Sequence, residues 1–416
     1  MKVYKVGGAV RDQLLKRAVS EIDWVVVGST PAELMALGYT PVGKDFPVFL
    51  HPQTKQEYAL ARLERKIAMG YHGFTTDHSP AVTLEQDLYR RDLTINAMAQ
   101  ADDGQIIDPY GGRADLTAKL LRHVSPAFVE DPVRILRVAR FLARFEPLGF
   151  SVAPDTLHLM RSMVQAGEVN ALQAERVASE MHKALQEPHP VAFFSVLRDV
   201  GALAIILPEV ARLFGVPQPP QWHPEVDTGI HAFMALASAT QLSDSPRVRF
   251  AALVHDVGKG LTPPEQWPRH IGHETLSAQL VESLCRRLRL PNDYRELAVM
   301  VAKWHTLCHQ AMVLTPLRML KLLDEADIYR RFERFEEFLL ACSADFFGRK
   351  DFATRPYPQA ELLKQVALAA KSVKTDALNL SGLTGPAIAK ALHAKRLSVI
   401  TPIIEQARQA HAAANP

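Results

Sequence analysis

The sequence predicts an α+β protein, an α/β head followed by an all-helical remainder, and three observations carry that prediction. Short strand-like runs alternate with turns and helical segments over the first 115 residues. Helical periodicity replaces them from Leu116 onward, and a Pro-rich join, Val216-Pro217-Gln218-Pro219-Pro220-Gln221-Trp222-His223-Pro224, interrupts the helices. At 416 residues the chain is too long for one core. The expected domains are a head at 1–115, a helical neck and body at 116–222, a second helical domain at 223–350 and a helical tail at 351–416.

In the head, strands are expected at Val3-Tyr4-Lys5-Val6, Trp24-Val25-Val26-Val27, Val48-Phe49-Leu50-His51, Tyr58-Ala59-Leu60-Ala61 and Ile106-Ile107-Asp108-Pro109, where β-branched and aromatic residues cluster. Helices are expected from Val10 to Leu15 and from Pro31 to Leu37. Farther on, Ser125-Pro126 reads as a cap, and Gly149-Phe150 and Pro188-His189-Pro190 as breaks.

Charged residues make up 22% and hydrophobic ones 48%, as in an ordinary globular protein. A net charge of +3 and a pI near 8.7 leave any polyanion to local arginine clusters rather than to a global field. Cys285, Cys308 and Cys342 form no metal-type pair, and their odd number argues against a disulfide framework, so a reducing, cytoplasmic setting is expected. The Met1-Lys2-Val3-Tyr4 start lacks a long apolar signal region, and no apolar run reaches membrane-spanning length; no membrane partner is expected.

The segment Glu130-Asp131-Pro132-Val133-Arg134-Ile135-Leu136-Arg137-Val138-Ala139-Arg140-Phe141 reads as a helix with two faces. At about 100° per residue, Arg137, Arg140 and Arg144 share one sector, while Ile135, Val138, Ala139 and Leu142 lie roughly opposite. No acid separates these arginines, which suggests an anion-binding face. Asp131 and Arg134 at the helix start offer an acceptor and a forked donor to the edge of a flat base.

Three head segments point to phosphate chemistry. In Gly7-Gly8-Ala9-Val10-Arg11-Asp12 the paired glycines let backbone amides approach a phosphate and Arg11 adds a charged fork. In Glu21-Ile22-Asp23 the two acids sit two apart on an extended strand, so both carboxylates can hold one Mg²⁺. Arg90-Arg91-Asp92-Leu93-Thr94-Ile95-Asn96-Ala97 brings two guanidiniums suited to a triphosphate, with Asp92 and Asn96, four apart, read as helix-stabilising or loop-fixing groups. Glu57 is either a third carboxylate beside the pair or an exposed strand residue.

These motifs, with Asp108-Pro109-Tyr110-Gly111-Gly112 and Asp115-Leu116, resemble in kind and order the class II CCA-adding tRNA nucleotidyltransferases, over the first half of the chain. The resemblance implies a nucleotidyltransferase-type head that rebuilds the 3′ end of tRNA from CTP and ATP without a template. It further implies that Glu21 and Asp23 are catalytic, and that Asp131 and Arg134 read the Watson–Crick edges of cytosine and adenine. Gly8, Arg11, Arg91, Arg137 and Arg140 would then hold the nucleotide. Ala174-Glu175-Arg176-Val177 with Glu180 matches a motif that supports the helices around the pocket. One departure stands out: the family pattern is Asp-x-Asp, and this chain has Glu21. The longer stem keeps the charge but displaces the oxygen, which Mg²⁺ tolerates poorly.

Beyond the Pro-rich join, His231 and Phe250-Ala251-Ala252-Leu253-Val254-His255-Asp256-Val257-Gly258-Lys259-Gly260 give a mixed N/O donor set that suits Mg²⁺, Mn²⁺ or Ni²⁺. Together with Arg269-His270-Ile271-Gly272-His273-Glu274 and His305, this region resembles the HD phosphohydrolase domain. That family implies an all-α, metal-dependent hydrolase of phosphate esters, with His231, His255 and Asp256 as ligands and a final aspartate. Asp345 is the choice for that aspartate, with Asp324 and Asp327 as rivals. For His270, His273 and His305, surface or capping roles stand beside ligation.

A class II head followed by an HD domain is similar to bacterial CCA-adding enzymes that carry several activities, from Met1 to at least Arg349. The likeness implies 2′,3′-cyclic phosphodiesterase, 2′-nucleotidase and phosphatase activities. Mg²⁺ would serve the transferase and phosphodiesterase, and Ni²⁺ or another transition ion the phosphatase. Candidate tRNA contacts are Arg286, Arg287 and Arg289 and the run Arg330, Arg331 and Arg334, although both also fit plain solvated helix faces. A poly(A) polymerase-like enzyme and a catalytically weakened RNA or nucleotide sensor are the alternative functions. The protein is expected to be a monomer or homodimer.

Overall fold

Strand alternation in Val25-Val26 decides the first layer, because successive side chains leave a strand on opposite faces. Val25 enters one core with Val6, Leu88, Ala97 and Ala99, and Val26 enters another with Leu34, Phe49, Tyr58 and Leu60. A sheet buried on both sides follows. The computed structural model describes residues 1–19, 21–42, 48–66, 74–375 and 384–414. The chain divides into two units, Met1–Ile206 and Leu207–Pro416. That division precedes the Pro-rich join, which lies wholly in the second unit.

The first unit opens with β1 (Lys2–Val6), α1 (Gly8–Leu14), β2 (Asp23–Val27), α2 (Pro31–Ala36), β3 (Thr40–Val42), β4 (Val48–Leu50) and β5 (Glu57–Leu60). A hairpin of β6 (Leu63–Lys66) and β7 (Phe74–Asp77) follows, then α3 (Leu84–Tyr89), β8 (Ala99–Gln100), β9 (Ile106–Ile107) and α4 (Gly112–Ala118). The sheet order is β3-β4-β5-β2-β1-β8-β9. Among the described residues of this sheet, β2 pairs with β5 in parallel and the other neighbours pair antiparallel. Thr30 and Thr83 cap α2 and α3, each in a reciprocal box with Glu33 or Gln86.

The all-helical expectation from Leu116 needs one amendment: β10 (Leu120–Leu121) and β11 (Ser151–Val152) form a short parallel pair. Two-residue strands carry too little periodicity to register in a sequence. Otherwise helices prevail, with α5 (Val133–Phe145), α6 (Pro154–Gln165), α7 (Ala174–Gln186), α8 (Pro190–Asp199) and α9 (Leu203–Ile206). α5 packs against α7 and α8, burying Ile135, Val138 and Ala139 on the apolar face read from the sequence.

The second unit contains α10 (Pro208–Ala211), α11 (Thr228–Leu242), α12 (Pro246–Val254), α13 (His273–Arg287), α14 (Asn292–His309), α15 (Pro316–Glu325), α16 (Phe332–Phe347), α17 (Pro358–Ser372) and α18 (Gly385–Ala414). α11, α12, α14 and α16 pack on one another and α13 closes on α14, so their inner faces meet. His231, His255, His305 and Asp345 come from four of these segments and are all buried.

Candidate active sites

Pairing of β1 with β2 sets Val6 opposite Asp23, so the Gly7 turn sits beside that acid. Gly7 has φ of +69°, and a Cβ there would come within 2.9 Å of Arg91 Nη1. A side chain would therefore both strain the turn and displace the guanidinium. Glu21 and Asp23 line a cleft of about 960 Å³ together with Gly8, Arg11, Arg91, Asp131, Arg134, Arg137 and Arg140. Every nucleotide-site candidate except Glu57 thus lines one cavity. Glu57 is exposed at the start of β5 and is not part of the lining.

Among the described residues, no hydrogen bond or ion pair claims the Glu21 or Asp23 carboxylate. Desolvation in the cleft pushes the Asp23 carboxyl up, Arg91 pulls it back, and the Glu21 charge adds to the rise. Two like charges with open oxygens in one cleft are suited to a hard cation.

The arginines differ from the bare face that their spacing suggested. Arg137 Nε meets Asp92 at 2.7 Å, Arg140 Nε meets Glu180 at 2.7 Å, and Arg144 Nη2 meets Glu187 at 2.8 Å. Each acid comes from a distant segment, and local spacing carries no trace of it. Burial pushes Asp92 up, but Arg137, helped by Asn96 and Arg134, holds its carboxyl well below the usual range. Asp92 also accepts from Leu93 N and Asn96 Nδ2, as a loop-fixing residue does.

Arg11 is likewise committed. Its Nε and Nη2 donate to Asp12 at 2.9 Å, its Nη1 donates to Asn96 Oδ1 at 2.6 Å, and the guanidinium lies 5.2 and 5.0 Å from the Phe141 and Phe145 rings. It braces α1 against α5 while lining the cleft. Arg134 donates to the carbonyls of Ala127 and Arg90 at 2.6 and 2.7 Å. Asp131 receives both terminal nitrogens of Arg176, at 3.0 and 2.7 Å, and accepts from Val133 N at the helix start. Glu180 and Arg176, in the segment expected to support the pocket, therefore meet Arg140 and Asp131 directly.

In the second unit α12 ends at Val254, and His255-Asp256 leads into a 3₁₀ turn. A Cβ on Gly258 would come 2.3 Å from His273 O, so glycine lets this turn touch the start of α13 and bring His273 to Asp256. His231 Nε2 lies 3.0 Å from Asp345 Oδ1, His255 Nε2 lies 3.1 Å from Asp256 Oδ2 and 3.7 Å from Asp345 Oδ2, and Lys259 Nζ lies 2.6 Å from Asp256 Oδ2. The four expected HD ligands therefore converge. His255 Nε2 and Asp256 Oδ1 are buried without a hydrogen bond, a donor set that suits a metal.

Asp324 and Asp327 stand apart, the first accepting from Tyr329 and the second paired with Arg330. His270 is structural, its Nδ1 on Thr262 and its Nε2 on Pro217 O. His273 and His305, by contrast, both face Asp256. His309 had no role in the sequence reading; it reaches Asp345 Oδ2 at 2.5 Å, and burial pushes it down to about 4 despite that carboxylate. Its position one turn after His305 on α14 was the available signal. Of the two arginine clusters, Arg286 and Arg287 pair with Glu282 and Glu209, and Arg331 and Arg334 share Glu296.

Family models match residues 3–122 (Poly A polymerase head domain), 149–214 (Probable RNA and SrmB-binding site of polymerase A) and 228–335 (HD domain). The multifunctional CCA protein of Thioalkalivibrio sulfidiphilus is 60% identical over 96% of this chain and 98% of its own length. The chain belongs to the multifunctional CCA protein family. Another member, from Nitrosococcus oceani, is 57% identical over 98% of this chain and all of its own. In fold, the family member resembles the Bacillus stearothermophilus CCA-adding enzyme in complex with CTP, with a TM-score of 0.63 at 23% identity, covering 99% of this chain and 93% of the other. A CCA-adding enzyme in complex with ATP gives the same TM-score at 21% identity, covering 99% and 89%. The α+β class is therefore shared. No helix among the described residues is long and apolar enough to cross a membrane.

Proposed function

We propose that this chain completes and repairs the 3′-terminal CCA of tRNA from CTP and ATP at the cleft of the first unit, and hydrolyses phosphate esters at the His/Asp cluster of the second. The observation that carries the first part is one cavity lined by both the Glu21–Asp23 pair and the Asp131–Arg134 pair. In this reading Glu21 and Asp23 hold Mg²⁺, while the Gly8 backbone and Arg91 bind triphosphate. Asp131 and Arg134 present the acceptor and donors that select cytosine or adenine. Arg176 and the backbone carbonyls of Ala127 and Arg90 keep those two side chains in fixed orientation. Arg11, Arg137 and Arg140 add positive potential from positions locked by their acids.

In the second unit His231, His255, Asp256 and Asp345 hold Ni²⁺ or another divalent transition ion for phosphatase action, with Mg²⁺ serving the phosphodiesterase. The activities assigned are 2′,3′-cyclic phosphodiesterase, 2′-nucleotidase and phosphatase. When bound, such ions supply charge neutralisation on the triphosphate in the first site and an activated water in the second. A tRNA end blocked by a cyclic or terminal phosphate lacks the hydroxyl that attacks CTP, and hydrolysis would restore it. A cytoplasmic location follows from the tRNA substrate.

The deciding experiment supplies tRNA lacking its last three nucleotides, Mg²⁺ and each nucleotide in turn. Incorporation of two cytidylates from CTP and a single adenylate on adding ATP is expected. Unlimited adenylate addition with CTP rejected would indicate a poly(A) polymerase, and tRNA binding without any addition a sensor.

A further inference from the structure

We propose that Phe141 is a positioning residue for nucleotide binding, its ring acting as an uncharged seat that orients the guanidiniums of Arg11, Arg137 and Arg140; this rests on reading those arginines as serving the nucleotide. Phe141 lines the cleft and is only 5% exposed. Its ring centroid lies 5.2 Å from Arg11 Cζ, 5.8 Å from Arg137 Cζ and 4.6 Å from Arg140 Cζ. All of these fall within the roughly 6 Å over which a ring face attracts a cation. One ring therefore gathers cations from both α1 and α5.

The acids hold two of these side chains by one edge. Asp92 meets Arg137, and Glu180 meets Arg140, through a hydrogen bond at Nε, which leaves each fork free to tilt about that contact. The other Arg140 approach, Nη1 to Glu187, is 3.8 Å and too long for a hydrogen bond. Among the described residues the terminal nitrogens of Arg137 make no hydrogen bond. The ring adds the second point of attachment. Phe145 extends it, stacking 6.1 Å from Phe141 with 5° between the planes and lying 5.0 Å from Arg11 Cζ. Phe145 is fully buried and does not line the cleft, so Phe141 is the ring of the pair that meets it.

The ligand explains why a ring suits this place. Asp12, Asp92 and Glu180 already match the guanidiniums one for one, and a further carboxylate would set more negative charge beside a triphosphate. An aromatic face attracts cations while carrying no net charge. It steadies the forks and leaves their charge to the phosphates. Donors oriented before the ligand arrives lose less freedom on binding, so the benefit falls on the phosphates that CTP and ATP share. The base edge, met by Asp131 and Arg134, gains nothing from it.

The test replaces Phe141 in the full-length chain with mono-, di- and trifluorophenylalanine, which keep the ring's shape and drain its negative face stepwise, and separately with leucine. Equilibrium binding of CTP and of ATP, each with Mg²⁺ and no tRNA, should weaken progressively along the fluorinated series, by about 3- to 30-fold at its end. Both nucleotides should shift by the same factor. In nucleotide addition to tRNA, KM should rise while kcat stays within about twofold. Phe141→Leu should weaken binding at least as much as the trifluorinated ring. A flat fluorinated series, as a side chain that only fills space would give, would overturn the proposal, and so would unequal shifts for CTP and ATP, as expected if the base stacked on the ring. If Phe141→Leu does not fold, the fluorinated series decides alone. Progressive loss of binding, with no nucleotide addition by the unaltered protein, would remove the functional reading and leave the ring's role standing; an unaltered protein that binds neither nucleotide would overturn both.

Discussion

In the cleft of the first unit the arginines of α5 meet acids delivered by other segments, Asp92 to Arg137, Glu180 to Arg140 and Glu187 to Arg144, while Glu21 and Asp23 stay unclaimed at the surface. In the cluster of the second unit, imidazoles surround two buried carboxylates, and His255 Nε2, His273 Nε2 and Asp256 Oδ1 are buried without a hydrogen bond. The first arrangement has its positive groups braced before any triphosphate arrives. In the second, Lys259 and Arg349 bring positive charge to Asp256 and Asp345. The contrast teaches that the first site has its guanidiniums fixed by salt bridges, as the proposed polyanion site would require, whereas the second leaves buried polar atoms without partners, as the proposed metal site would.

The largest expected effects test whether the two sites are independent. Asp23→Asn should lower nucleotide addition by roughly a thousandfold or more, since a lost metal ligand forfeits several kcal/mol of charge stabilisation. Phosphate-ester hydrolysis by the same variant should stay within about twofold. His255→Ala should give the mirror result, and parallel steady-state assays on tRNA and a 2′-nucleotide would expose any coupling.

Removing one partner of a braced pair comes next. Arg140→Ala leaves the Glu180 carboxylate buried beside Arg140's empty place, and should cost about 3–5 kcal/mol in chemical denaturation of the first unit. Asp131→Asn should weaken discrimination among nucleotides by about 10- to 100-fold, because one recognition pair is worth roughly 1–3 kcal/mol. Competition of CTP, ATP and UTP for one primer would measure it; unchanged selectivity would remove Asp131 from base choice.

Asp92 gives a pH signature. Its folded carboxyl is held below the ordinary value of 3.8, so its stabilisation is fully present above that pH and declines as the medium is acidified. Asp92→Asn should therefore flatten the acid limb of the stability curve below about pH 5, by on the order of 1–3 kcal/mol. Thermal unfolding of both proteins between neutral and acid pH would show whether the limbs differ. The smallest effect is expected for Glu21→Asp: a gain or loss in nucleotide addition within about tenfold, since the charge is kept and only the oxygen moves.

The chain's order of residues determined a good deal by itself. The β-branched run from Trp24 to Val27 specified the central strand, the helical stripe of Ile135, Val138 and Ala139 specified the buried side of α5, and the motif residues other than Glu57 and His270 fell into one cleft and one cluster. Only the tertiary structure decided what each charged group does. The partners of Arg140, Arg144 and Asp131 lie 40, 43 and 45 positions away, the two-residue strands β10 and β11 exist only through each other, and His309 gains its role from Asp345 on another helix. Short-range periodicity records which face of a segment avoids water. Charge compensation and ligation depend on which distant segment folding brings within about 3 Å, and local spacing does not carry that information.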